Sequence, residues 1–226
     1  QANKETLDSI KKNILSNNSK KIICNEQFSF AENENGFIYY EDEIGGLKLP
    51  KPNLVGEFQV QNIATAIAAI RSLNLKIEDK YIKNGITKIK SIARLQEIWT
   101  GKLKELVKNN RLIIDGSHNE DGARVLNEYL ETLDCNKHII IGMMANKDHE
   151  KYISYFKNIS SLTTVDIPNQ PNAISGKDLK DKFNKLTNVK YKKSIQEAIL
   201  SINLKENDLL IITGSLYLSG EFLNLN

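Results

Sequence analysis

The chain from about Ser91 onward alternates short apolar runs with segments of helical periodicity, and this alternation limits the possible folds more than any other feature. The strand-like runs are, in order, LIID, HIIIGM, LTTVDI, NVKYK and DLLIITG. Strands that are separated by helices pair in parallel, because a parallel crossover needs room for a helix. The sequence therefore predicts an α/β fold with a mainly parallel sheet that is covered by helices on both faces.

The chain before Ser91 has a different pattern. Leu7, Ile10 and Ile14 recur at helical spacing and predict an amphipathic helix, and the runs KIICNEQFSF and GFIYYE predict strands. Residues 43–57 hold two of the four prolines and three glycines, so they predict mostly loop. Apolar residues at helical spacing then predict two helices, one with the sequence QNIATAIAAIRSL and one over about residues 78–89.

Small and polar residues follow three of the predicted strands at their carboxyl ends. These loops are residues 115–119 (DGSHN), 142–148 (GMMANKD) and 213–215 (TGS). Ligands of open parallel sheets bind outside the carboxyl ends of the strands. We therefore expect any binding or catalytic site to be built from these three loops.

The DGSHN loop offers the most chemistry. Asp115 can accept hydrogen bonds from sugar hydroxyls, and His118 can pair with phosphate or carboxylate oxygens near neutral pH. The helix that follows presents free N–H groups, which suit an anion. A purely structural alternative is that Asp115 or Asn119 caps this helix and His118 is merely exposed. The combination of acid, glycine, hydroxyl and imidazole at a strand end favours a functional site.

The other two loops are less specific. Gly214 and Ser215 form a small anion cradle at a strand–helix junction, although close backbone packing also explains the glycine. Lys147 and Asp148 are equally typical of a surface. Arg94, which precedes a short predicted strand, can bind carboxylate or phosphate through two parallel hydrogen bonds, although a surface ion pair is the commoner role of arginine.

Several functional classes lack their sequence signals. The chain contains no GxxxxGK[ST] phosphate loop, no GxGxxG fingerprint, no GxSxG elbow and no cluster with metal-ligand spacing. The 31 basic residues nearly balance the 28 acidic ones and form no cluster with aromatics, which argues against nucleic-acid binding. No apolar run approaches the length of about 20 residues that spans a membrane. Two distant cysteines without CxxC spacing predict free thiols in a cytoplasmic protein.

Five motifs, in order, resemble those of folylpolyglutamate synthase and the bifunctional dihydrofolate synthase, in the Mur ligase superfamily. They cover roughly residues 50–222. LVGEFQVQN resembles the family's G-x-H-Q-x-x-N, ARLQ resembles P-G-R-L-Q, and DGSHN resembles D-G-A-H-N. GMMANKD resembles G-M-L-x-D-K-D, and TGSLYLSGE resembles T-G-S-L-Y-L-V-G-E. The resemblance implies the C-terminal Rossmann-like domain of Mur ligase type over residues 90–226, preceded by the tail of the ATPase domain over residues 1–89.

The resemblance also implies a reaction. This family forms an amide with ATP: a folate carboxylate is phosphorylated to an acyl phosphate, and the amino group of L-glutamate attacks it. By the same resemblance Asn62 lies by the adenine, Arg94 near the phosphates and Asp115 on the ribose. His118 and Ser215 line the cleft where glutamate arrives and are the catalytic candidates. The P-loop, the magnesium ligands and the folate pocket are expected in an N-terminal ATPase half that lies outside these residues, so the chain alone is predicted to have no ligase activity.

The chain departs from the family pattern at several positions. Phe58 stands in place of a histidine, Ile92 and Ala93 replace Pro-Gly before Arg94, and Glu120 replaces a proline. Two alternatives therefore stay open. One is a fragment of a peptidoglycan-type Mur ligase that adds an amino acid to a nucleotide-sugar peptide. The other is a non-catalytic binding module that has lost the ATPase half.

Overall fold

The computed structural model describes residues 4–54, 56, 58–73, 75, 77–183 and 189–226. The chain divides into two compact units, Gln1–Lys90 and Ser91–Asn226. Each unit has its own apolar core: one cluster of buried residues runs from Phe28 to Ile86, and the other runs from Ala93 to Phe222. No helix among the described residues is both long and apolar enough to cross a membrane.

The first unit packs a three-stranded antiparallel sheet against helices. Its elements are α1 (Lys4–Ser16), β1 (Phe28–Glu32), β2 (Ile38–Asp42), β3 (Gly45–Leu49), α2 (Phe58–Ser72) and α3 (Asp79–Ile86), and the sheet order is β1-β2-β3. The three helices lie where the periodicity predicts them. The run KIICNEQFSF forms a strand only in its last part, from Phe28.

The prediction of mostly loop over residues 43–57 is wrong for residues 45–49, which form β3. Leu47 and Leu49 alternate with Lys48, and both leucines are buried against the core, so the local period is that of a strand. Asp42 Oδ1 accepts the backbone N–H groups of Ile44 and Gly45, which forms the turn that returns the chain along β2. The glycines therefore belong to a hairpin and do not interrupt the sheet.

The second unit contains the predicted parallel sheet, and the α/β fold class is confirmed. Its strands are β4 (Gln96–Glu97), β5 (Arg111–Ile114), β6 (Lys137–Ile141), β7 (Ser161–Val165), β8 (Val189–Lys192) and β9 (Leu209–Thr213), in the order β4-β5-β9-β6-β7-β8. Only β4 runs antiparallel to its neighbour. Every residue of β6 and β9 is buried, because helices cover both faces.

The helices of the second unit follow the strands. They are α4 (Lys102–Val107), α5 (Glu120–Glu131), α6 (His149–Ser154), α7 (Gly176–Phe183), α8 (Ile195–Ser201) and α9 (Leu216–Leu225). Helix α6 ends at Ser154, and α4 precedes the first parallel strand. Ser175 caps α7, since its Oγ accepts the backbone N–H of Asp178 at 3.1 Å. Asn188, the first residue of the predicted strand NVKYK, lies outside the described residues, as do the last residues of the run GKDLKDKFNKL.

Candidate ligand site at the carboxyl edge of the parallel sheet

The three polar loops predicted to form a site meet in one place. Strands β5, β9 and β6 are neighbours in the sheet, so the loops that leave their carboxyl ends lie side by side. A cleft of about 670 Å³ opens there. Its walls are His118, Met144, Ala145, Asn146, Lys147, Pro171, Asn172, Ser215, Leu216 and Tyr217. The strand order therefore brings His118 and Ser215, the two catalytic candidates, to one cleft.

His118 is half-buried and has a defined tautomer when neutral. Its Nδ1 lies 2.9 Å from the carbonyl oxygen of Gly116, and because a carbonyl only accepts, Nδ1 carries the proton. In the neutral ring Nε2 is then the basic nitrogen. This leaves one nitrogen able to accept a proton from a ligand in the cleft.

Ser215 is the N-cap of α9. Its Oγ accepts the backbone N–H of Tyr217 at 3.0 Å, and the residue is 2% exposed. The hydroxyl fixes the start of this ten-residue helix at the cleft wall. The positive end of the helix dipole is therefore held at the cleft, where it favours an anion.

The Arg94 loop has an unusual backbone that Asp115 supports. Ala93 and Leu95, on either side of Arg94, have φ of +54° and +47°, a region that costs a residue with a Cβ roughly 1–2 kcal/mol. Leu95 N donates to Asp115 Oδ2 at 2.8 Å, and Gly116 N donates to Ala93 O at 2.7 Å. These bonds hold a strained loop that presents an exposed Arg94.

Asn62 belongs to the first unit. It lies on α2, is exposed, and its Nδ2 donates to Gln59 Oε1 at 3.2 Å. Gln59 is buried beside it on the same helix. The amide of Asn62 is therefore oriented by a neighbour one turn away, with its oxygen available to a ligand.

Part of the cleft wall was missed from the sequence. The loop after β7 supplies Pro171 and Asn172, and it pairs with the loop after β6: Ala145 N donates to Asn172 O at 2.9 Å, and Ile174 N donates to Met143 O at 3.1 Å. The strand-end rule that selected the other three loops applies equally to this one. Its composition, PNQPNAIS, lacks charged groups and so gave no chemical signal.

The charge of the cleft is one-sided. Among the residues that the structure describes, its walls include the Lys147 ammonium and the His118 imidazole and no aspartate or glutamate. Lys147 has no ion-pair partner in the part of the chain that the structure describes. Asn146 and Asn172 add neutral donors. This set of groups suits a ligand that bears carboxylate or phosphate oxygens.

The model of the Mur ligase glutamate ligase domain matches residues 102–216 of this sequence. The chain belongs to the family of Mur ligase glutamate ligase domains. Three of the five motifs that carry the predicted resemblance lie wholly or partly within the matched residues, and that resemblance is confirmed. Both catalytic candidates and all but one of the residues that line the cleft, Tyr217, also lie within the residues matched to the glutamate ligase domain.

Several individual proteins resemble the chain as well. The dihydrofolate synthase/folylpolyglutamate synthase of Bacillus subtilis is 28% identical over 208 residues, which are 88% of this chain and 44% of that protein. The Mycobacterium tuberculosis folylpolyglutamate synthase complexed with ADP has a TM-score of 0.81 at 15% identity, over 100% of this chain and 53% of that one. Escherichia coli FolC in complex with DHPP and ADP has a TM-score of 0.75 at 20% identity, over 96% and 50%.

These comparisons show how much of each relative corresponds to this chain. The chain spans about half the length of the relatives it matches. The solved structures, at 15% and 20% identity, establish a common fold over nearly all of this chain. The glutamate ligase domain is thus shown for the chain itself, and about half of each relative lies outside the matched part.

Proposed function

We propose that this chain is part of an ATP-dependent amide ligase that adds L-glutamate to folate or dihydropteroate through an acyl phosphate, in the cytoplasm. The cleft is the glutamate site, and residues 1–89 are the tail of an ATPase domain. The relatives support this proposal, since their names describe dihydrofolate and folylpolyglutamate synthases and two of their structures contain ADP. The observation that carries the proposal is the cleft lined by Lys147 and His118, with no acidic side chain among the described residues that line it.

Glutamate fits this cleft by charge. The amino acid has two carboxylates, and the cleft offers the Lys147 ammonium, two asparagine amides and the start of α9. In this proposal His118 Nε2 accepts a proton from the glutamate ammonium. The free amine can then attack the acyl carbon, so that the amide C–N bond forms, the C–O bond to phosphate breaks, and the departing phosphate takes up the second proton of the amine nitrogen. Holding the amine beside the acyl phosphate supplies the gain in rate that comes from proximity.

In the second unit, Arg94 and Asp115 are proposed to contact the nucleotide. The exposed Arg94 suits phosphate oxygens, and the Asn62 amide suits an adenine edge. Asp115 is 5% exposed, so its proposed contact with a ribose hydroxyl is restricted to its accessible edge. The described residues contain no group of three or more His, Cys, Asp or Glu that could hold a metal ion, so we propose that the Mg²⁺ ligands belong to the ATPase half.

A titration of the ¹⁵N-labelled chain with L-glutamate tests the proposed cleft. We expect the NMR chemical shifts of the backbone amides of residues 142–148 and 214–217 to change when L-glutamate is added. L-Glutamine, which lacks the second carboxylate, is expected to cause smaller changes. Lys147→Gln lowers the affinity for L-glutamate by about tenfold, the loss expected for one charge-assisted hydrogen bond. Lys177→Gln, a change of the same kind at an exposed helix position, leaves the affinity unchanged. Shifts confined to other surfaces would reject the cleft as the glutamate site.

The ligase reaction itself is tested by ADP formation. The chain alone, mixed with ATP, L-glutamate and a reduced folate, is expected to form no ADP, because no phosphate loop is present in its sequence. Addition of an ATPase half that carries such a loop is expected to restore ADP formation. Turnover by the chain alone would show that the assignment of the ATPase to a separate half is wrong.

A further inference from the structure

Three hydroxyl groups meet beneath the two loops that carry His118 and Ser215. The phenol oxygen of Tyr152, on α6, lies 2.9 Å from Ser117 Oγ and 2.9 Å from Thr213 Oγ1, and the two smaller hydroxyls lie 3.2 Å apart. Ser117 directly precedes His118, and Thr213 stands two residues before Ser215. The hydroxyl triangle therefore joins the loop after β5, the loop after β9 and helix α6.

The triangle is closed to solvent. Tyr152 and Thr213 are 0% exposed and Ser117 is 4% exposed. Three hydroxyls satisfy one another when each donates its proton to the next. Burial raises the pKa of the Tyr152 phenol well above its ordinary value, so the group keeps its proton and serves as a hydrogen-bond partner rather than as an acid or a base.

The backbone beside the triangle connects the same two loops. The carbonyl oxygen of Ser117 accepts the N–H of Gly214 at 3.1 Å, and the Tyr152 hydroxyl lies 3.2 Å from that carbonyl. Gly214 has φ of +100°, and a Cβ there would come within 2.7 Å of Ile141. The junction therefore has little freedom to move while the hydroxyl of Tyr152 is in place.

We infer that Tyr152 is a positioning residue, whose hydroxyl sets the separation of the His118 and Ser215 loops and so the affinity of the cleft for L-glutamate. The inference rests on the proposed glutamate site. Tyr152 is not among the residues that line the cleft, so it acts through Ser117 and Thr213. Without the phenol oxygen, the hydroxyls of Ser117 and Thr213 keep only the 3.2 Å hydrogen bond between them, and one of their two protons has no acceptor. Because a buried donor without a partner is costly, we expect the two loops to move apart.

Tyr152→Phe tests the inference because phenylalanine fills the same space without the oxygen. Amide hydrogen exchange of Gly214 in the ligand-free ¹⁵N-labelled chain measures the coupling of the loops, and the titration with L-glutamate measures its consequence. We expect Gly214 to exchange at least about tenfold faster and glutamate to bind about tenfold more weakly, as for one lost buried hydrogen bond. Amides of the central strand β9 keep their exchange rates, which a general loss of stability would raise.

Tyr155→Phe is the matched control. Tyr155 lies three residues further along the chain, and its hydroxyl donates to Glu120 Oε1 at 2.6 Å, away from the triangle. We expect this variant to keep the Gly214 exchange rate and the glutamate affinity of the original chain. The inference is overturned if Tyr152→Phe also keeps the Gly214 exchange rate and the glutamate affinity of the original chain. If the unmodified chain binds no L-glutamate, the proposed function fails, and the Gly214 exchange rate alone still supports or overturns the coupling.

A second pair of variants covers the case in which Tyr152→Phe does not fold. Thr213→Ser keeps a hydroxyl at the same corner of the triangle, and Thr213→Val replaces it with a methyl group of similar size. We expect serine to retain slow Gly214 exchange and valine to accelerate it by about tenfold. Equal exchange rates in the two variants would overturn the inference.

Discussion

The carboxylate of Asp115 accepts one backbone N–H at each oxygen, from Leu95 at 2.8 Å and from Ser117 at 2.9 Å. One side chain therefore holds both the loop that presents Arg94 and the loop that presents His118. At the scale of the single residue, Asp115 has a structural role besides the proposed contact with ribose. Residues that support strained loops at a site are costly to change even when they bind nothing.

Asp115→Asn is expected to destabilise the second unit. The amide retains only one acceptor oxygen, so one of the two backbone N–H groups faces an NH₂ group and is left without a partner, which costs about 1–3 kcal/mol. Thermal unfolding followed by circular dichroism measures the loss. Asp121→Asn is the control, because this exposed residue makes only a 3.7 Å contact with Arg124. A melting temperature for Asp115→Asn equal to that of the control would contradict the proposed support.

Helix α4 shows how an element can depend on a distant residue. Its N-cap position is Gly101, which has no side chain to offer. The cap comes instead from Asn226: its Oδ1 accepts the N–H groups of Leu103 at 3.1 Å and Lys104 at 2.9 Å, and its backbone oxygen accepts that of Lys102 at 2.8 Å. The start of this six-residue helix is thus satisfied from more than a hundred residues away.

Asn226→Ala is expected to reduce the free energy of unfolding by about 0.5–2 kcal/mol, the usual cost of removing a helix cap. Denaturation with urea measures this difference. Asn226→Asp is the conservative comparison, since it keeps the acceptor oxygen and adds a negative charge at the positive end of a helix. Because aspartate loses the bond from Nδ2 to Thr100 O, we expect it to fall between the original chain and alanine. A larger loss with aspartate than with alanine would rule out the cap.

At the scale of the whole molecule, the two units have separate cores, and the second unit has different chemistry at the two edges of its sheet. The carboxyl edge carries the cleft. The opposite edge carries a buried network in which Asp208 accepts from His138 Nε2 at 3.1 Å, Asn136 Nδ2 at 2.8 Å and Lys205 N at 2.7 Å. This network ties β6 to the turn before β9, so it contributes to the stability of the central strands.

The network predicts how stability depends on pH. Burial tends to raise the pKa of Asp208, but the hydrogen bonds from Lys205, Asn136 and His138 outweigh it and lower the pKa below its ordinary value. The ionised form is therefore favoured in the folded chain relative to an unfolded aspartate with a pKa of about 3.9. This stabilisation is present above the unfolded pKa and is lost as the pH falls through the lower folded pKa.

Melting temperatures between pH 7 and about pH 2 test this dependence, because the stabilisation is lost only as the pH falls below the unfolded pKa. Asp208→Asn is expected to melt lower than the original chain at pH 7 and to approach it in acid, because the neutral amide has nothing to titrate. Asp134→Asn, at an exposed position, is expected to follow the original chain throughout. A constant difference between Asp208→Asn and the original chain over the whole pH range would contradict the assignment.

The helices and parallel strands could be predicted because their signals are local. Ala123, Leu126 and Leu130 repeat at the helical period and are all buried on α5, and the apolar runs of β6 and β9 are buried throughout. The hairpin β2–β3 was not predicted, because the prolines and glycines around β3 indicate a loop. The alternation of apolar and polar residues in β3 is too short to indicate a strand until its pairing with β2 is known. Helix α4 gave no signal either, because its cap comes from Asn226.

In the candidate site, too, some features have local signals in the sequence and others depend on residues far apart in the chain. The parallel α/β unit and the polar strand ends could be predicted, because the apolar period and the chemistry of each residue can be read along the chain. The tertiary structure places β9 between β5 and β6, which brings His118 and Ser215 to one cleft. It also decided that the oxygens of Asp115 accept backbone N–H groups and that Tyr152 joins the two loops. Strand order and buried partners arise from packing between residues far apart in the chain, which no local pattern records.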